Sequence, residues 1–168
     1  QSPRRLRKHF FPVPSAFEWY WALFGYTLSR TTNSHLPGVT MQFILVDDHA
    51  LIVQALSALL KAKYPASTVL TGASADQARA LVAEHGSDTD LMILDLNMPG
   101  VTQTTDLLEE LVQSGPAMKI LVLSGVLDPR NIMRVLQLGA AGFVPKSLDT
   151  DMLTNAIDFV LKGGVFIP

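Results

Sequence analysis

Two kinds of apolar pattern alternate along residues 41–168. Five short runs are largely apolar: Phe43-Ile44-Leu45-Val46, Thr68-Val69-Leu70-Thr71, Leu91-Met92-Ile93-Leu94, Ile120-Leu121-Val122-Leu123 and Ala141-Gly142-Phe143-Val144. Runs this short, bounded by turn residues, suit strands that a parallel sheet buries on both faces. Between them the apolar positions recur at helical spacing, as in Leu51, Ile52, Ala55, Leu56, Leu59 and Leu60, or Leu153, Ile157, Val160 and Leu161. Strands are therefore expected at 42–46, 68–71, 91–95, 119–123 and 141–144, each followed by a helix.

The punctuation agrees with that reading. The first helix should stop before Tyr64-Pro65, because a residue ahead of proline disfavours the helical region. Ser74 and Gln77 form an S-x-x-Q capping box for the second, which ends near Gly86. The third covers about 104–113 and gives out at Ser114-Gly115-Pro116. Asp128-Pro129, a capping residue followed by proline, opens the fourth, which ends at Gly139. Asp149 caps the fifth, and Gly163-Gly164 closes it. Strands alternating with helices of this length imply an α/β parallel sheet wound by right-handed crossovers.

Residues 1–40 are of another character. Arg4-Arg5-Leu6-Arg7-Lys8 is basic, and residues 10–28 are aromatic and apolar but broken by Pro12, Pro14 and Glu18. That makes a poor signal-peptide core and a poor membrane span. Met41 stands directly before the first strand, so residues 1–40 are expected to be an N-terminal extension outside the domain, with residues 41–168 forming it. Five basic residues against one acid give the extension +4, whereas eight against fourteen give the rest −6. An acidic domain argues against direct nucleic-acid binding, which needs clustered Lys and Arg. The chain has no Cys, which excludes disulfides and thiolate zinc sites, and its four His show no i, i+4 ligand spacing.

Parallel strands share one carboxyl edge, where ligands of open α/β sheets bind. That edge receives Asp47 and Asp48 from the first strand, Asp95 from the third, Ser124 from the fourth and Lys146 from the fifth. With strand order 2-1-3-4-5 the first and third strands are neighbours, and three carboxylates close together repel. A hard divalent cation such as Mg²⁺ removes that repulsion. A carboxylate beside it is a possible nucleophile toward phosphorus, with Lys146 and Ser124 placed to meet the transferred oxygens. Singly, each residue has an ordinary reading: Asp47 or Asp48 as N-cap of the first helix, Ser124 in a turn, Lys146 solvated, Phe143 in the core.

Jointly, Asp47-Asp48-His49-Ala50-Leu51, Leu94-Asp95-Leu96-Asn97-Met98-Pro99-Gly100 and Gly139-Ala140-Ala141-Gly142-Phe143-Val144-Pro145-Lys146-Ser147 resemble the response-regulator receiver domain of two-component signalling. They look most like the NarL/FixJ (LuxR-type) subfamily, and Gly163-Gly164-Val165-Phe166-Ile167-Pro168 resembles the start of its linker. The resemblance implies a flavodoxin-like (βα)5 fold with strand order 2-1-3-4-5. It implies that a sensor histidine kinase phosphorylates Asp95. Asp48 and Asp95 would bind Mg²⁺ directly with the backbone carbonyl of Asn97, and Asp47 through water. Ser124 and Lys146 would contact the phosphoryl group, and Phe143 would be the aromatic switch residue. It further implies a cytoplasmic protein that dimerises on phosphorylation through the fourth helix, fifth strand and fifth helix, and reaches DNA only through an output domain. No catalysis is implied beyond its own phosphoryl transfer and slow autodephosphorylation.

Three departures qualify the resemblance. Val101-Thr102-Gln103-Thr104 replaces the apolar-Asp-Gly turn usual after Met98-Pro99-Gly100. Pro145 precedes Lys146, so the cis bond expected after the lysine cannot form at Lys146-Ser147. No helix-turn-helix follows Pro168, leaving a receiver fragment or a stand-alone receiver as the expectation. The rival readings are a degenerate receiver serving as an interaction module, and a phosphatase of the haloacid-dehalogenase type. The latter normally needs a second acid two residues after the nucleophile, where Asn97 stands.

Overall fold

The computed structural model describes residues 40–99, 104–114 and 117–168. The expected N-terminal extension, the loop at 100–103 and the Gly115-Pro116 helix stop therefore lie outside the described residues, apart from residue 40. Five strands, β1 (Gln42–Val46), β2 (Thr68–Gly72), β3 (Leu91–Asp95), β4 (Lys119–Ser124) and β5 (Gly142–Pro145), form one parallel sheet in the order β2-β1-β3-β4-β5. The helices are α1 (Ala50–Lys63), α2 (Ala75–His85), α3 (Thr104–Gln113), α4 (Pro129–Gln137) and α5 (Thr150–Leu161). This is the doubly wound arrangement expected from the alternating pattern.

Side-chain alternation along the buried strands builds two cores. Ile44, Val46, Met92, Leu94, Ile120, Val122 and Phe143 share one with residues of α2, α3 and α4. Phe43, Leu45, Leu91, Ile93, Leu121, Leu123 and Val144 share the other with residues of α1 and α5. Both faces of β1, β3 and β4 are thus apolar, which is why those runs carry no polar alternation. Among the described residues no helix is long and apolar enough to cross a membrane.

Several local readings shift. Gln77 N–H donates to Ser74 Oγ, but the Gln77 side chain reaches back to Ala73 N–H (2.6 Å), one residue short of the cap's own amide. Gly86 is right-handed rather than a left-handed stop, and the chain runs on into a single 3₁₀ turn, Gly86–Asp88. β5 lies one residue later than its apolar pattern suggested. Pro145 is tolerated there because Phe143, two residues earlier, directs its N–H to the outer edge of the sheet, so proline's missing donor costs no bond to β4. The Gly163–Pro168 run is more than a linker: Phe166 forms a parallel bridge with Gly142.

Candidate functional site

The sheet's register assembles the site. β1 delivers Asp47 and Asp48, β3 ends on Asp95, β4 ends on Ser124, and Lys146 follows β5. Asp95 pairs with Leu123 and Ser124 with Pro145, while the Lys146 N–H donates to the Ser124 carbonyl at 2.8 Å. The ends of β4 and β5 are therefore tied through the backbone of two candidate residues.

Asp47 and Asp95 are both 0% exposed. A carboxylate so buried requires partners. Lys146 Nζ donates to Asp95 Oδ2 at 2.8 Å and lies 2.7 Å from Asp47 Oδ2, a charge contact that lacks hydrogen-bond alignment. Burial pushes the Lys146 ammonium toward deprotonation, but the Asp47 and Asp95 carboxylates outweigh it and hold its pKa above the usual lysine value. The second Asp95 oxygen, Oδ1, accepts the Asn97 backbone N–H at 2.9 Å.

Asp48 stands partly open, with a buried Oδ1 that accepts no hydrogen bond. His49 Nδ1 lies 2.9 Å from that oxygen and 3.0 Å from Asp47 Oδ1, and the His49 backbone N–H donates to Asp47 Oδ1 at 2.8 Å. His49, not an aspartate, occupies the N-cap of α1, and it makes no side-chain cap bond. The capping role considered for Asp47 or Asp48 is thus not taken up, Asp47 being drawn inward by Lys146. Sequence reading also missed His49 as a member of the cluster. It looked for histidines spaced four apart, whereas the available signal was adjacency in Asp47-Asp48-His49.

Ser124 is 6% exposed, and its hydroxyl is engaged. Oγ accepts from Val126 N–H (3.1 Å) and from Asn97 Nδ2 (3.3 Å), and donates to the Val126 carbonyl (3.3 Å). Phe143 is 1% exposed, its ring inside the core shared with α4's Val135.

Ligand atoms of Asp47, Asp48, His49 and Asp95 all lie within 4.8 Å of one another. Three acids, two of them (Asp47 and Asp48) presenting a buried oxygen without a hydrogen bond, suit a hard divalent cation such as Mg²⁺. The donor set therefore fits such an ion. With the lysine ammonium in contact with both Asp47 and Asp95, the arrangement is equipped to hold an anionic group against a carboxylate nucleophile.

A family model described as the response regulator receiver domain matches residues 43–158. The chain is similar to the glycerol metabolism activator of Pseudomonas putida, 32% identical over 127 residues that cover 76% of this chain and 57% of that protein. It is also similar to the transcriptional regulatory protein DegU of Brevibacillus brevis, 32% identical over 138 residues covering 80% and 56%. The chain thus spans little more than half the length of these relatives. The crystal structure of a LuxR family DNA-binding response regulator from Silicibacter pomeroyi superposes with a TM-score of 0.64 at 28% identity, covering 76% of this chain and 96% of that one.

Proposed function

The chain belongs to the response regulator receiver domain family, and on that premise we propose that Asp95 accepts a phosphoryl group from the phosphohistidine of a sensor histidine kinase. The observation that carries this reading is the burial of Asp95 at the end of β3, one oxygen held by Lys146 and the other by the Asn97 amide. A carboxylate oxygen of Asp95 attacks phosphorus. The new O–P bond forms as the N–P bond breaks, and the imidazole leaves with the electron pair. Mg²⁺, when bound by Asp48, Asp95 and the Asn97 carbonyl and through water by Asp47, supplies positive charge to the transferred oxygens. Lys146, held against Asp47 and Asp95, would supply more. Asp47 suits the outer role, since Lys146 and His49 already engage it.

The output follows from Ser124. To reach a phosphoryl oxygen its hydroxyl must leave the Val126 carbonyl, which frees the loop bearing the exposed Val126 and Leu127 ahead of α4. Val135 alone among α4's residues is buried, so that helix is lightly anchored and can move at small cost. Together with Phe143 this would shift a two-state equilibrium of the α4–β5–α5 surface. In the cytoplasm that surface would govern dimerisation and, through an output domain, DNA binding. Residues 41–168 would be the receiver and residues 1–40 an extension with no part in it.

Incubation with acetyl phosphate and Mg²⁺, followed by mass spectrometry, tests the proposal. One phosphoryl group should be gained by the original chain and none by Asp95→Asn. Equal labelling of the variant refutes the assignment, and turnover of general phosphomonoesters would favour a phosphatase.

A further inference from the structure

The open edge of β5 is covered by the chain's own C-terminal segment. Phe143 N–H donates to the Phe166 carbonyl at 2.9 Å, and Phe166 N–H donates to the Ala141 carbonyl at 3.1 Å. Gly163, at φ +93°, turns the chain out of α5 toward this edge, and Gly164 N–H closes the turn on the Phe159 carbonyl at 3.0 Å. The Phe166 ring packs against the core shared by α1 and α5, while the neighbouring Val165 and Ile167 are exposed. Gly142 is fitted to this contact. A Cβ there would lie 2.9 Å from the Phe166 carbonyl oxygen, 3.0 Å from Phe166 Cβ and 2.9 Å from Leu121 Cδ1. The bridge therefore needs glycine at 142 for close backbone approach.

The position of the bridge matters more than its size. It grips β5 at 141–143, three to five residues before Lys146, while the other end of that stretch is pinned by the Lys146 N–H on Ser124. Without the bridge this four-residue edge strand would be held on one side alone, by its pairing with β4, leaving the lysine ammonium less firmly placed. Held on both sides, it carries Lys146 to within 2.8 Å of both buried acids.

We infer that residues 165–167 form a clamp on β5, with Phe166 as a positioning residue for Lys146, so that closure of the clamp and occupancy of the carboxylate site by an anionic group stabilise one another. The inference rests on the phospho-acceptor reading of Asp95, and gives the site a direct main-chain route to the C-terminal segment. By reciprocity, whatever loosens the clamp must weaken binding at the site, and whatever fills the site must tighten the clamp.

Beryllofluoride with Mg²⁺, a phosphoryl mimic, is the probe. In the full chain its addition should slow hydrogen exchange at the Phe143 and Phe166 amides several-fold more than at Ile44 in the sheet centre. Phe166→Pro, which removes one bridge donor, and Gly142→Ala, which crowds the bridge, should each weaken beryllofluoride affinity about five-fold or more. Phe166→Leu, which keeps the donor and most of the bulk, should stay within about two-fold. Affinities unchanged in both damaging variants, or unchanged exchange at Phe143 and Phe166 in the original chain, overturn the clamp. The exchange measurement needs no variant, so it decides the matter even where Phe166→Pro fails to fold. A chain that binds beryllofluoride but ignores the tail sinks the clamp alone. One that neither binds it nor labels at Asp95 sinks the phospho-acceptor reading, and the clamp with it.

Discussion

Replacing Lys146 by Met removes a charge while keeping the length of the stem. The ammonium lies 2.7 Å from Asp47 Oδ2 and 2.8 Å from Asp95 Oδ2, and both acids are fully buried. At these distances and an effective dielectric near 20, each contact is worth about 6 kcal/mol before desolvation is subtracted. Desolvation removes much of that, and removing one partner of a buried ion pair typically costs about 3–5 kcal/mol, because the orphaned charge stays behind. The upper part of that range is expected here, since two acids lose the same cation. Urea unfolding in the absence of divalent cations should show the loss directly. Adding Asp47→Asn to Lys146→Met should restore about 1–2 kcal/mol, whereas Asp47→Asn alone should destabilise. Mg²⁺ should stabilise Lys146→Met more than the original chain. A loss below about 1 kcal/mol would show that water or rearrangement compensates these acids and that Lys146 is not their principal counter-charge. The same variant should still label at Asp95 but respond weakly to beryllofluoride.

Calorimetry should find that Asp48→Ala weakens Mg²⁺ binding more than Asp47→Ala, because Asp48 Oδ1 lacks a hydrogen bond while Asp47 is already engaged by Lys146; equal losses would contradict this. A chain starting at Met41 should melt near the original temperature and label equally well, and a large drop in melting temperature would show that residues 1–40 support the domain. In that shortened chain Tyr64 is the only tyrosine, so ultraviolet titration reads it alone. Burial and the Asp158 carboxylate, 2.5 Å from its hydroxyl, push its pKa well above the ordinary 10.0. Because the folded-state value is the raised one, this contribution to stability is complete below about pH 10 and is lost as pH climbs through the folded value; ionisation near pH 10 would refute it.

The periodicity of apolar residues was enough to read the five strands, the five helices and the carboxyl edge on which the chemistry gathers. Burial on both sheet faces removes polar alternation from strands such as Leu91–Asp95, so the acid that ends the run stands out by contrast. Contacts between residues far apart were not legible. That one lysine serves both Asp47 and Asp95 depends on the β1–β3–β4–β5 register, which brings together positions 47, 95 and 146. That the Ser124 hydroxyl is spent on Val126, and that the His49 ring covers the acid pair, follow from rotamers, which residue spacing does not encode. The bridge from Phe166 to β5 was hidden for a further reason. A single-residue bridge leaves no run and no alternation, only a glycine at 142 whose missing side chain makes room for a backbone arriving from 24 residues further along the chain.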